Sequence, residues 1–282
     1  MRHRSRPRRT SGRLAREDEL RLVNLLLPFT PVRARWLKAL VAVQAVVAIG
    51  LWSASGSKTL PSPFEIGAAW IDLVQHQGLL FELWTSVKVS VLALVVSTLA
   101  AVAVAALATA PVFMPVARLA STLRFLGFAG LTYVFMLMSS DANALRVWIL
   151  SFGMFVFMVT ALLADLAATP RDQIDHCRTL GMRHWRITGE VVVLGKADVI
   201  LDLMRQNAAI SWTLLTLVEG MTRSAGGIGA MLLNQNRYFL LAGVFAIQLT
   251  ILAFGLAQDA LLSLLKDAVC PWSTLGKEQA RT

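Results

Sequence analysis

The sequence predicts an all-α membrane protein with six transmembrane helices and both termini in the cytoplasm, and three observations carry that reading. Of 282 residues, 56% are hydrophobic and only 16% charged, and the mean hydropathy is +0.62, more apolar than a water-soluble surface of mixed charge allows. Windows without charge recur along the chain, and about 20 apolar residues cover the roughly 30 Å of hydrocarbon in a bilayer. The net charge of +10 is concentrated at one end: residues 1 to 38 hold eleven Lys/Arg against Glu17, Asp18 and Glu19, while the rest hold sixteen against fourteen acids. This composition excludes the compact basic enzyme or nucleic-acid binder that a pI of 10.6 alone would allow.

Residues 1–36 read as a basic cytoplasmic tail. Its first apolar run starts near Leu37 with no small-residue cleavage signature after it, unlike a signal peptide. Next to a span, such a tail contacts anionic lipid headgroups at about 1 kcal/mol per basic residue, so membrane lipids are expected partners and nucleic acid is not. The first span, within residues 37–57, is Ala39 to Ser57. Residues 58–84 open on Leu60-Pro61-Ser62-Pro63, a helix-start pattern, and continue with apolar residues interleaved with Glu65, Asp72 and Glu82, which predicts a helix lying in the outer interface.

Five further spans are expected within residues 85–265. Val89 to Arg118, with its centre before Pro111, is followed by Leu119 to Met138, interrupted by Arg124, and then by Val147 to Ala164. A short one lies between Arg205 and Glu219, where the uncharged stretch Gln206 to Val218 covers only about 20 Å at about 1.5 Å per residue. Tyr238 to Gln258 is the last, ahead of a C-terminal tail over residues 266–282. With the N-terminus inside, inner segments carry 22 Lys/Arg and outer segments five, Lys58, Lys88, Arg146, Arg223 and Arg237. The excess side stays in the cytoplasm, so the polar connection at about residues 169–204 is cytoplasmic.

Catalytic patterns are missing from the sequence. It has no GxxxxGK[ST], HExxH or GxSxG, its four histidines are scattered, and Cys177 and Cys270 have no metal or disulfide spacing. No cofactor, no metal and no enzymatic activity are expected. Gly226-Gly227-Ile228-Gly229 follows no strand and reads as a flexible outer turn. A transporter without a nucleotide site draws on an ion gradient, on diffusion or on a partner ATPase.

The inner connection reads Asp175-His176-Cys177-Arg178-Thr179-Leu180-Gly181-Met182-Arg183-His184-Trp185. It resembles the EAA loop of binding-protein-dependent ABC importer permeases, an acid, two alanines, three variable residues and a glycine, ending in Leu-Pro. Asp175 and Gly181 keep the acid and the glycine; His176 and Cys177 replace the alanines, and Val193-Leu194 stands in place of Leu-Pro. With Leu60-Pro61-Ser62-Pro63, Arg178-Thr179-Leu180-Gly181, Trp212, Glu219 and the glycine cluster, the chain from Leu60 to Leu265 is similar to the nitrate/sulfonate/taurine branch. One departure is that Leu123-Arg124 is followed by Phe125-Leu126-Gly127-Phe128 instead of a proline-rich run, which removes the usual source of a helix kink.

The resemblance implies a type I ABC importer permease-like bundle in a bacterial inner membrane. Its partners would be cytoplasmic ABC ATPase subunits, a second permease copy or related permease, and an extracytoplasmic solute-binding protein. The substrate would be a small solute, an anion such as nitrate, sulfonate or taurine. Coupling to the ATPase would fall to Asp175, Arg178, Leu180, Gly181, Met182 and Trp185. Asp175 is expected at the start of a short helix, on the positive end of its dipole, with Gly181 allowing a tight exit. The pathway or gate would use Trp212, Thr213, Thr216, Glu219 and Arg124. Glu219 reads equally as a gate or as a structural hydrogen-bonding group, and Arg124 as an anion attractor or a snorkelling side chain. Asp165 and Asp259 read as interfacial. Two rivals stay open: a gradient-driven secondary transporter, for which no repeat is visible between the halves, and a degenerate permease acting as a membrane scaffold.

Overall fold

The structure is a computed structural model and describes residues 34–54, 60–126, 128–139, 141–222 and 226–272; the basic tail before Ala34 and the last ten residues lie outside them. These residues are largely helical, without strands, and the chain divides into two units, Met1–Ser62 and Pro63–Thr282. The first unit contributes helix α1, Ala34–Ala54, whose apolar stretch Leu37–Ser53 covers most of the expected first span.

The second unit contains α2 (Pro63–Gln75), α3 (Leu79–Leu107), α4 (Met114–Thr122), a 3-10 turn (Leu123–Phe125) and α5 (Phe128–Met138). There follow α6 (Ala142–Ala167), α7 (Arg171–Thr179), α8 (His184–Ile187), a π-helical segment (Thr188–Leu194), α9 (Ala197–Met221), α10 (Ile228–Arg237) and α11 (Leu241–Val269). Helices α3, α6 and α11, of 29, 26 and 29 residues, are long and apolar enough to cross a membrane, and the Met114–Phe125 and Gly130–Met138 pieces make a fourth candidate if their 118° bend is counted within one span. The protein is therefore all-helical, with three or four apolar helices of membrane-spanning length among the described residues. Their outward faces agree: Leu92, Leu99, Leu249, Leu252, Leu256 and Leu264 are all more than half exposed, a leucine surface that lipid tolerates and water does not.

Several boundaries differ from expectation. Helix α3 starts at Leu79, ten residues before Val89, because Gly78 adopts φ +70° and ends the approach from α2; Glu82 and Lys88 therefore sit within a helix, not in an outer connection. Asp141 caps α6, its Oδ1 accepting from the Ala144 backbone N–H at 2.7 Å. Arg146, counted with an outer loop, is consequently inside α6 and fully buried. Helix α9 is 25 residues long, where the uncharged window suggested a short span. Its charged half continues because it is paired: Arg205 binds Asp259 and Asp202 binds Lys266, both on α11, and Lys196 just before it binds Asp165 on α6. Asp165 and Asp259 are thus helix-to-helix ties. Helix α11 runs on to Val269, so the expected tail from residue 266 begins inside it. The third expected span is broken after Leu126, whose backbone is extended (φ −78°, ψ 125°), although no proline stands there.

Packing explains the order of the helices. Along α3, Ser86, Ser90, Ala93, Ser97, Ala101 and Ala105 are all buried, a stripe of small residues on one face that lets a neighbouring backbone approach closely. Helix α6 uses this stripe, and Ala101 and Ala105 pack with Met158, Val159 and Leu162. Helix α9 lies against α3, α6, α10 and α11, with a hydroxyl pair, Ser90 to Ser211 at 2.9 Å, joining α3 to α9.

The native cysteines offer a check on topology. Cys177 on α7 is half-buried and Cys270, just past α11, has no exposed surface. A membrane-impermeant maleimide is expected to modify Cys177 in inverted vesicles and not in intact cells, and to miss Cys270 until the protein is denatured. Asn143→Cys in a Cys177→Ser background should give the reverse sidedness, and labelling of both positions from the same face would contradict the orientation read from the charges.

Candidate functional site

Three places gather the residues of interest. The first is a buried polar cluster where α3, α6, α9 and α10 meet. Glu219 is fully buried: its Oε1 accepts from Ser86 Oγ at 2.7 Å and its Oε2 from the Gly229 backbone N–H at 2.8 Å. Ser86 Oγ also accepts from the Ile228 N–H at 2.9 Å, and Glu82 accepts from the Gly227 N–H. The first amides of α10, which have no partners within their own helix, are thus taken up by two carboxylates and a hydroxyl, a charge arrangement that the helix dipole favours. Arg146 completes the cluster. Its Nη2 donates to the Gly226 carbonyl at 2.6 Å and its Nε to Thr222 Oγ1 at 3.2 Å, while Nη1 lies 3.7 Å from Glu219 Oε1. At that separation the charges attract without a hydrogen bond.

The glycines are there for space. Gly226 and Gly227 have φ +71° and +98°, and a Cβ on Gly226 would come within 2.7 Å of the Glu82 carboxylate. A Cβ on Gly227 would collide with the Glu219 carboxyl group, and one on Gly229 would stand 2.6 Å from the Thr216 carbonyl oxygen. The expected flexible turn is, over Gly226 to Gly229, a clamped loop. Arg146 and Glu82 were not singled out from the sequence; an Arg and a Glu flanking apolar windows, each within a few residues of a helix start, were the available signal.

The second place is the connection from α6 to α9. Helix α7 begins after Pro170, and Asp172 occupies its first turn, so the acid on the dipole is Asp172. Asp175 sits mid-helix and pairs with Arg178 at 2.8 Å, both side chains well exposed. Gly181 behaves as the spacing suggested. At φ +73° it donates to the Arg178 carbonyl at 2.9 Å, and Met182 N–H donates to the Cys177 carbonyl at 3.2 Å. These two bonds make the Schellman ending that left-handed glycine permits. Around it, Leu180 and Trp185 stand 62% and 61% exposed on either side of the turn, and Met182 is half-buried. The π segment then leads into α9, with Gly195 N–H donating to the Glu190 carbonyl at 2.8 Å.

The third place is a cavity of about 480 Å³ between α9 and α11. Trp212, Thr213 and Thr216 line it, opposite Gln248 and Asp259. Trp212 is oriented by its Nε1–H, which donates to Gln258 Oε1 at 2.9 Å. Glu219 does not line this cavity, and neither does Arg124, which is exposed on the 3-10 turn with its guanidinium over the Phe125 ring at 4.8 Å. The five pathway candidates therefore fall into a group of three and two separate positions. Among the described residues, no group of three His, Cys, Asp or Glu could hold a metal ion. No protein-family model matches the sequence, and no curated protein matches it.

Proposed function

We propose that the chain is the membrane-spanning permease subunit of an ATP-driven importer in a bacterial inner membrane, with six spans and both termini in the cytoplasm. It forms the pathway for a small solute, an anion such as nitrate, a sulfonate or taurine, together with a second permease copy or a related one. Cytoplasmic ATPase subunits supply the energy, and an extracytoplasmic solute-binding protein delivers the solute. The observation that carries this reading is the exposed turn between two long helices: a short helix ended by a left-handed glycine, presenting Leu180 and Trp185 to solvent. Two large apolar side chains held on an exposed turn are suited to seat in a cleft of a soluble partner, where a few buried anchors, Trp above all, contribute most of the binding energy. Glu219 supports this reading over a gradient-driven transporter, because both of its oxygens are engaged by Ser86 and Gly229 instead of facing a water-filled route.

Purification in mild detergent from native membranes tests the proposal. The wild-type chain should bring down a soluble ATPase. Leu180→Asp and Trp185→Ala should each lower its retention by about tenfold or more, as the loss of an interface anchor does, and should abolish uptake while membrane abundance holds. Wild-type retention in both variants, or capture of no ATPase at all, would overturn the reading.

A further inference from the structure

A second, larger cavity of about 750 Å³ lies at the base of the α7–α8 turn, and we propose that it is a binding site for an anionic phospholipid headgroup. Its position sets the depth. One wall is Ala108 to Pro111, just beyond the end of α3, and another is Leu166, Ala167 and Thr169, at the end of α6. Two helices of membrane-spanning length finish here, so the cavity opens at the level where hydrocarbon gives way to headgroups.

Its chemistry is divided in the way a lipid is. Arg171, Arg178 and His184 line it, and no carboxylate does. Arg178 shares its charge with Asp175, whereas Arg171 has no ion-pair partner among the described residues. Guanidinium groups present planar pairs of donors that match phosphate oxygens, and basic pockets between membrane helices are typical headgroup sites. The remaining wall is apolar, with Leu166, Ile174, Ile187 and Val191. Thr109 and Thr188, joined by a 3.1 Å hydroxyl contact, add polar groups within the cavity. A bare phosphate would use the cations and leave the apolar wall idle; a phospholipid uses both. The inference needs a membrane-spanning chain but no transport, so neither uptake nor ATPase capture enters its test.

The full chain, purified and stripped of lipid in mild detergent, would be titrated with phosphatidylglycerol or phosphatidylcholine of matched acyl chains, with bound lipid counted by native mass spectrometry. Wild type should prefer phosphatidylglycerol by about tenfold or more. Arg171→Glu and His184→Glu should remove that preference. Arg186→Glu lies on the same connection outside the lining and should change it less than about twofold, although its charge change equals that of Arg171→Glu. Val192→Trp, which fills the cavity without altering charge, should reduce binding as strongly as Arg171→Glu. Equal losses for Arg186→Glu and Arg171→Glu would reduce the effect to diffuse surface charge and overturn the site. Undiminished phosphatidylglycerol binding in Val192→Trp would overturn it too, as would full displacement of the lipid by millimolar inorganic phosphate, the outcome expected of a free-phosphate site.

Discussion

Arg146→Met is expected to destabilise the protein by about 3–5 kcal/mol, the cost of leaving a buried charge without its partner. Arg146 and Glu219 are both fully buried and 3.7 Å apart, so removing the guanidinium strands the Glu219 carboxylate in a low-dielectric interior. It also leaves the Gly226 carbonyl and Thr222 without the donor that binds them. The measurement is the unfolding midpoint in mixed detergent and SDS micelles, alongside abundance in the membrane. Glu219→Gln separates the charge effect from the hydrogen bonds, because its amide oxygen can still accept from Gly229 and its amide N–H can donate to Ser86 Oγ. Adding Glu219→Gln to Arg146→Met should therefore restore part of the loss, with a coupling of at least about 1 kcal/mol. Strictly additive costs would mean that the two residues do not act as a pair.

Gly227→Ala is expected to cost on the order of 3–5 kcal/mol by a different route. At φ +98° and ψ 161°, Gly227 occupies a region that is essentially glycine-only, with a strain of about 1–3 kcal/mol for other residues. The added methyl group would also stand where the Glu219 carboxyl is, and displacing that group breaks buried hydrogen bonds at about 1–3 kcal/mol each. Gly78→Ala is the matched comparison. Its φ of +70° is also left-handed, but a Cβ there meets nothing within 4 Å, so its cost should stay near the 1–2 kcal/mol of the backbone alone. Equal midpoints for the two variants would mean that the clamp does not resist the methyl group.

These two substitutions fall on residues that the sequence presented unevenly. Glu219 stood out because an acid at the edge of an apolar window is expensive in lipid, while Arg146 looked like an ordinary loop cation immediately before an apolar run. The capping side chain of Asp141 draws the start of α6 back before Arg146, and that places the guanidinium across from Glu219. Likewise the glycine cluster carried no sign of its carboxylate partners, since Glu82 and Ser86 lie more than 130 residues earlier in the chain. Helix α9 looked short because charge was taken as the end of a span. Arg205 and Asp202 continue the helix because Asp259 and Lys266 face them, and a window of one sequence segment has no access to the opposite charge on another.

By itself the sequence determined what depends on neighbours along the chain. Apolar length marked the helices of membrane-spanning length, α3, α6 and α11, because hydrophobic content over some twenty residues is a local sum. It also marked the turn at Gly181, because an αL helix ending is set by a handful of consecutive residues. The acid at the start of α7 was misassigned to Asp175 by three positions, because where a helix begins is the least legible feature of a sequence. Only the tertiary structure decided which polar groups meet: the carboxylate clamp on the first amides of α10, the cations gathered around the larger cavity, and the separation of Glu219 and Arg124 from Trp212, Thr213 and Thr216. The physical reason is that burial makes such contacts obligatory, since an unpaired charge or amide inside the helix bundle is costly, but the partner that satisfies each one is chosen by how the helices pack.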